Sequence, residues 1–254
     1  MKEPQHEALA AAIRAGGAIT VLTGAGVSAA SGVPTFRGQD GLWRSFPAEQ
    51  LATAEAFDQD PALVWEWYAW RRALVAAAQP NAAHRVLADW SCRPDADVRI
   101  VTQNVDDLHV RAGTVRLVRL HGSLWELACR NRCATAPPTW PDLRVPLPVM
   151  PPRCPHCGGL ARPAVVWFGE SLPADALADA IDATRCRLFL AVGTSALVHP
   201  AAGLIGMARE HGAFTVEINP ETTAASGGVD LALTGRAEVV LPQLDELAFG
   251  LPSD

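Results

Sequence analysis

The sequence predicts an α/β fold: a Rossmann-like parallel sheet with helices on both faces, plus a small zinc-binding module. Three observations carry this. Short continuous apolar runs alternate with helix-length segments along most of the chain, as in a parallel sheet covered on both sides. One run, AITVLTG at 18–24, opens directly into a glycine-rich turn. Between 129 and 163 the alternation breaks into a stretch rich in Pro, Arg and Cys, which has no helical periodicity and reads as an insert.

Residues 5–15 have the spacing of a short amphipathic helix. The strand 18–24 follows. Residues 61–78 read as a helix opened by Pro61, where the missing N–H is harmless. NAAHRVLADW (81–90) reads as another, capped by Asn81. DVRIVTQN (97–104) and TVRLVRL (114–120) are buried strands. A helix starting near Pro173 leads to the strand RLFLAVGTS (187–195). A helix from Pro200 to His211 leads to AFTVEIN (213–219). AEVVLP (237–242) is expected as the last strand, before a terminal helix.

The 254 residues carry a net charge of −6, which argues against a general nucleic-acid binder. No run approaches the ~18 apolar residues of a membrane span. The N-terminus carries acids and lacks a continuous apolar stretch, so no secretory signal is expected and a cytoplasmic protein is. Clustered cysteines in a reducing compartment point to metal rather than disulfides. Cys129 and Cys133, then 20 residues, then Cys154 and Cys157 have the spacing of two knuckles closing on zinc. Four thiolates leave no open position, so the zinc is expected to be structural. Arg130, Arg132 and Arg153 would offset its net negative charge, and His156 is expected to face solvent. Cys92 and Cys186 read as small core residues.

Gly24, Gly26 and Ala29 match the dinucleotide spacing G-x-G-x-x-A, although a tight turn without a ligand fits equally well. The usual acid on a second strand is missing. Ser31-Gly32-Val33-Pro34 cuts the helix short, so a loop carrying Phe36 and Arg37 must fold over any dinucleotide. Strand ends supply Gln103, Asn104, Asp106, His121, Ser195 and Asn219, which suggests one polar cleft. Each alone also fits a helix cap, Asp106 and Thr194 or Ser195 above all. His121, before a glycine, is the candidate general base, whereas His84 and His109 lie in helices and read as structural.

GAGVSAASGVPTFRG, TQNVDDLH, LHGS, the two cysteine pairs, VVWFGE, GTS and EINPE occur in an order that resembles the sirtuins, NAD-dependent lysine deacylases, over roughly residues 18–242. The resemblance implies a single catalytic unit over 1–254. Its larger Rossmann-like part would comprise about 1–35, 80–123 and 164–254. The smaller part would comprise the helical 36–79, with the acyl pocket, and the zinc module 124–163. It implies NAD on Gly24, Ala25, Gly26, Phe36 and Arg37. Gln103, Asn104 and Asp106 would surround the nicotinamide ribose. Gly193, Thr194, Ser195, Asn219 and Ala237 would line the adenosine end. His121 and Asn104 match the catalytic residues, and Val166 and Phe168 the segment that pairs with an acyl-lysine peptide. No hydride moves in the implied reaction: the acyl oxygen attacks the ribose carbon, giving nicotinamide, free lysine and 2′-O-acyl-ADP-ribose. A monomer is expected. Protein mono-ADP-ribosyl transfer, or a non-catalytic NAD- or ADP-ribose-binding module, are the alternatives.

Two departures stand out. The first pair is C-x3-C instead of the usual C-x2-C, and Arg119 stands where the family usually has an acid.

Trp65 to Arg72, WEWYAWRR, holds three of the eight tryptophans and the only tyrosine. The tryptophans read as core. Tyr68 and Arg71 are three residues apart and share a helix face. The pair matches the Tyr-x-x-Arg of the succinyl- and malonyl-directed sirtuins, where phenol and guanidinium hold a carboxylate. Stacking of Arg71 on Trp67 is the other reading, and Arg72 is expected at the solvated surface.

Overall fold

The structure, a computed structural model, describes residues 3–35, 42–43, 46–195 and 197–250. Helix α1 (Glu3–Arg14) precedes strand β1 (Gly17–Thr23) and the single turn α2 (Gly26–Ala29). A short antiparallel pair, β2 (Leu42–Trp43) and β3 (Phe46–Pro47), leads to α3 (Ala48–Leu51). Thr53 caps α4 (Ala54–Gln59), its hydroxyl accepting from the Ala56 N–H. Asp60 does the same for α5 (Pro61–Ala77), accepting from the Leu63 N–H at 3.0 Å with Pro61 in the first turn. Asn81 caps α6 (Ala82–Cys92) through a capping box with His84. Then come β4 (Ala96–Thr102), α7 (Leu108–Arg111), β5 (Leu117–Arg119), β6 (Gly122–Cys129), β7 (Trp140–Pro141) and β8 (Ala161–Val165). The chain closes with α8 (Ala174–Ala183), β9 (Leu188–Val192), α9 (Gly203–Glu210), β10 (Phe214–Asn219), β11 (Leu231–Thr234) and α10 (Ala237–Phe249).

Six strands form one parallel sheet in the order β11-β10-β9-β1-β4-β5. The chain grows outward from β1 through β4 to β5, then returns to the other side of β1 with β9. The order therefore reverses between β1 and β9, and a crevice opens there at the carboxyl ends of the strands. Alternate side chains serve opposite faces. Ile19, Val21, Leu188 and Leu190 pack with α1, α6 and α10, whereas Leu22, Phe189 and Ala191 pack with α8 and α9. Helices on both faces are as the sequence predicts.

Residues 237–242 are a correction: they begin helix α10 and are not a strand. Ala237, Val240, Leu241, Leu244 and Ala248 are buried, a helical period sustained over thirteen residues that outweighs the β-like look of the first six. The sixth strand is instead Leu231–Thr234, four residues long. The insert also contains more order than its composition suggests, since β7, β6 and β8 form a three-stranded antiparallel sheet.

A third core unites α4 and α5 with this small sheet through Phe57, Trp65, Trp67, Tyr68, Leu124, Leu127 and Trp167. The tryptophans of α5 are core, as expected, but Arg72 is not at the surface. It is 1% exposed. Its guanidinium donates to the Leu124 carbonyl, to the Asp142 carboxylate and to the Arg144 carbonyl, each at 3.1 Å, and lies over the Trp125 ring. Arg72 thus pins α5 to the small sheet and to the segment after β7. Such a cation is tolerable in a core because its partners replace water. Removing it takes one of two partners from Asp142, which keeps Arg144, so Arg72→Met is expected to cost about 1.5–3 kcal/mol of unfolding free energy. Urea titration followed by far-UV circular dichroism measures this, and a loss below about 1 kcal/mol would contradict the staple.

Candidate active site and metal centre

The strand-order reversal brings two turns into contact. The N–H groups of Gly24 and Gly26 donate to the carbonyls of Val192 and Gly193 at 3.2 and 2.9 Å. A Cβ on Gly24 or on Gly26 would lie 2.8 Å from the Gly193 carbonyl oxygen, and Gly193 itself has φ +59°. These glycines are therefore required by one another before any ligand arrives. Ala25 sits between them at the start of α2. Around this contact, Gln103 donates to the Thr194 hydroxyl at 2.9 Å, and Asn219 donates to the Thr194 carbonyl at 2.6 Å. Ser195 follows, half-buried. Ala237 is farther down, in the core at the first turn of α10. Phe36 and Arg37 lie outside the described residues.

The next layer is polar and buried. Asn104 donates from its amide to the Gly24 carbonyl at 3.1 Å and to the Ser28 hydroxyl at 3.2 Å. Ser28, unassigned in the sequence, donates to Asp106 at 2.9 Å. Its signal was its place two residues beyond the second glycine. Burial raises the Asp106 pKa, while the Leu108 N–H and Ser28 hydroxyl oppose that. His84 and His109 support this layer from α6 and α7. Burial holds the His84 ring down to about 3 and the His109 ring to about 4, so both are neutral.

His121 lies in the turn between β5 and β6. Gly122 permits that turn, since it has φ +78° and a Cβ there would sit 2.1 Å from the Ala164 oxygen. Among the described residues, the partner its Nδ1 meets is the Gln103 carbonyl, at 2.8 Å. A carbonyl only accepts, so Nδ1 carries the proton and Nε2 is left as the basic nitrogen. Burial lowers its pKa, with the Gln103 carbonyl opposing, so the ring is neutral at neutral pH. Arg119 pairs with Glu126 on β6 at 3.2 Å.

Tyr68 is buried, and its phenol oxygen accepts from Trp167 Nε1 at 2.9 Å. Burial pushes its pKa up to about 12, so it keeps a proton to donate. Arg71 is half-buried, with its guanidinium carbon 5.2 Å from the Trp67 ring centre. Burial lowers its pKa, while Tyr68 and Asp106 pull it back up. Stacking on Trp67 is thus realised. Val166 donates to the His121 carbonyl and Phe168 to the Ala52 carbonyl, both at 2.9 Å. Trp167 donates its backbone N–H to Glu170. All three backbone N–H groups of this segment are therefore committed to acceptors within the chain.

The four cysteine sulfurs lie within 4.8 Å of one another, with Cys129–Cys157 at 3.7 Å and Cys133–Cys154 at 3.9 Å. A tetrahedral zinc with bonds of about 2.3 Å sets its sulfurs about 3.8 Å apart, so the residues fit the ion. The longer C-x3-C loop closes because Arg132 adopts φ 48° and donates its N–H to the Cys129 carbonyl. Sulfurs this close cannot all ionise on their own. The Cys133 N–H holds Cys129 down to about 6. Cys157 is pulled down by the Gly159 N–H, but its sulfur neighbours push it up to about 12. A divalent cation removes that conflict. Arg130 pairs with Asp58, and His156 is exposed as expected. Cys186 is buried, but Cys92 is exposed, a correction to its reading as core: it is the last residue of α6, where the helix leaves the sheet.

A parallel sheet with a glycine-lined switch point, a poised histidine and a four-cysteine centre defines a nucleotide-site α/β enzyme with a metal-bearing module. The model of the Sir2 family matches residues 24–200. The chain belongs to the Sir2 family. An NAD-dependent protein deacylase of Aquifex aeolicus is 48% identical over 227 residues, 89% of this chain and 93% of that protein. NAD-dependent protein deacylase 1 of Pseudomonas aeruginosa is 50% identical over 236 residues, 91% of this chain and 94% of its own. A solved mutant Sir2 homologue in complex with 2′-O-acetyl ADP ribose superposes with a TM-score of 0.88 at 40% identity, covering 98% of each chain.

Metal analysis of the purified protein is expected to find one tightly bound zinc per chain, lost on Cys154→Ser; a protein purified without metal would contradict the centre. The buried histidines give a pH dependence. Their folded pKa values lie below the unfolded value of about 6.5, so their contribution is complete above about 6.5 and is lost as pH falls toward 4 and 3. Stability should drop by up to about 1.4 kcal/mol per pH unit per histidine in that window. Thermal melts from pH 7 to 4 measure it, and flat melting temperatures would contradict it.

Proposed function

We propose that this chain is an NAD-dependent protein lysine deacylase acting on succinyl-, malonyl- and acetyl-lysine, with His121 as its general base. The observation that carries the reading is the His121 ring, whose Nδ1 proton is committed to Gln103 so that Nε2 is free to accept, beside the glycine turn. NAD, when bound, supplies a ribose carbon activated by nicotinamide as leaving group. Gly24, Ala25, Gly26, Gly193, Thr194, Ser195, Asn219 and Ala237 would hold its phosphate and adenosine portions, and Gln103, Asn104 and Asp106 its other ribose. His121 would take a proton from a ribose hydroxyl. The acyl-lysine would enter between the large part (1–35, 80–123, 164–254) and the small part (36–79, 124–163), pairing with Val166 and Phe168. Among the described residues no helix is long and apolar enough to cross a membrane.

Tyr68 and Arg71 are the proposed clamp for an acyl carboxylate. The phenol oxygen accepts from Trp167, which leaves its own proton to donate, and the guanidinium supplies charge in a water-poor wall. An acetyl group would fit the same wall without meeting the clamp. Acetyl-, malonyl- and succinyl-lysine peptides incubated with NAD and read by mass spectrometry test both levels. NAD-dependent acyl loss is expected, and none from any peptide would sink the deacylase reading. Arg71→Met should lower desuccinylation kcat/KM by about 10–100-fold and deacetylation by less than about 3-fold; equal losses would remove the clamp.

A further inference from the structure

The segment after β8 folds back on itself. Gly169 has φ +83°, which lets the chain turn so that the Glu170 N–H donates to the Trp167 carbonyl at 3.0 Å. The Glu170 carboxylate thereby reaches the Trp167 backbone N–H and accepts it at 2.9 Å. From β8, the Arg162 guanidinium donates to both oxygens of that carboxylate, to the Val165 carbonyl at 2.8 Å and to the Pro163 carbonyl at 3.3 Å. With its edge so used, the planar fork turns its face to the indole. Its carbon lies 3.4 Å from the Trp167 ring centre.

This clasp grips Trp167 by backbone and by ring. Phe57 meets the same ring, with centres 5.2 Å apart. What the grip fixes is the bearing of the indole N–H, which follows the rotation of the ring about its side-chain bonds and can only donate. Held as it is, Nε1 donates to the phenol oxygen of Tyr68, which is 3% exposed. A phenol anchored before substrate arrives needs no reordering when a carboxylate meets it, whereas an acetyl group has no carboxylate to meet. Arg162 is no rival to Arg71 for that carboxylate, because Glu170 balances its charge.

We propose that Arg162 and Glu170 are positioning residues for acyl selectivity: they lock the Trp167 indole so that its N–H holds the Tyr68 phenol in place for an acyl carboxylate. This rests on the assignment of Tyr68 and Arg71 to the carboxylate clamp. Both residues act through Trp167.

Arg162→Met and Glu170→Ala test it, with Trp167→Phe to assign the indole resonance. In the free protein, the Trp167 indole N–H should exchange with water about 10-fold faster in both variants. That of Trp90, which donates to Asp245 in the other core, should not change. Both variants should lower desuccinylation kcat/KM by about 10-fold, mainly through a raised peptide KM, and deacetylation by less than about 3-fold. In a Tyr68→Phe background they should lower desuccinylation by less than about 3-fold further, since their route runs through the phenol oxygen. Unaltered indole exchange would overturn the proposal. So would equal losses on succinyl and acetyl peptides, or the same 10-fold loss in the Tyr68→Phe background. If Arg162→Met does not fold, Glu170→Ala, at a part-exposed side chain, decides. Equal losses in Arg71→Met remove the clamp itself, whereas equal losses in these two variants alone remove only the proposal. If the unaltered protein removes no acyl group, the deacylase reading fails, and indole exchange still decides the locking of Trp167.

Discussion

Everything in the crevice depends on how closely two turns approach each other. The loop after β1 and the loop after β9 meet through backbone alone, because Gly24, Gly26 and Gly193 leave no room for a side chain. Their hydrogen bonds tie the two halves of the sheet together at the point where strand order reverses. With the main chain so fixed, Asn104 can bond the Gly24 carbonyl, and Gln103 and Asn219 can converge on Thr194. A methyl group at any of these glycines would force the turns apart and unseat all three side chains. The constraint comes from the protein's own packing and holds before any ligand arrives.

The second organising contact is ionic. Arg72 lies in a core of tryptophans and joins α5 to the small sheet through backbone and side-chain acceptors. It adjoins Arg71 in sequence, yet the two serve opposite purposes. The helical turn of about 100° per residue sends one guanidinium into the core and leaves the next half-buried over Trp67. Trp167 extends the same frame. Its indole N–H holds the Tyr68 phenol while its ring packs on Phe57.

Most of the sheet was legible in the sequence because a parallel strand buried on both faces leaves a continuous apolar run bounded by turn residues, as at 18–24 and 97–104. The cysteine centre was legible for a stronger reason, since four ligands at such spacing have few other uses. The failures have physical causes. AEVVLP resembles a strand over six residues, and only the spacing of Leu244 and Ala248 beyond it shows the helix. Strand β11 is four residues long, too short for periodicity to register. Arg72 was misassigned because Asp142, its partner, lies seventy residues away in an irregular segment. Ser28 carried only its spacing from the second glycine as a signal, for its meaning comes from the Asn104 and Asp106 side chains it meets in space.

The aromatic residues are distributed unevenly among the cores, with an optical consequence. Trp65, Trp67, Trp70, Trp125, Trp140 and Trp167 belong to the core shared by α5 and the small sheet, whereas the large sheet's core holds Trp90. Intrinsic emission from this protein therefore reports mainly on the smaller core. Far-UV dichroism, dominated by the ten helices and the six-stranded sheet of the described residues, reports mainly on the larger. If the two cores come apart at different denaturant concentrations, the two signals will separate, and their coincidence would mean that the Arg72 staple makes them one cooperative unit.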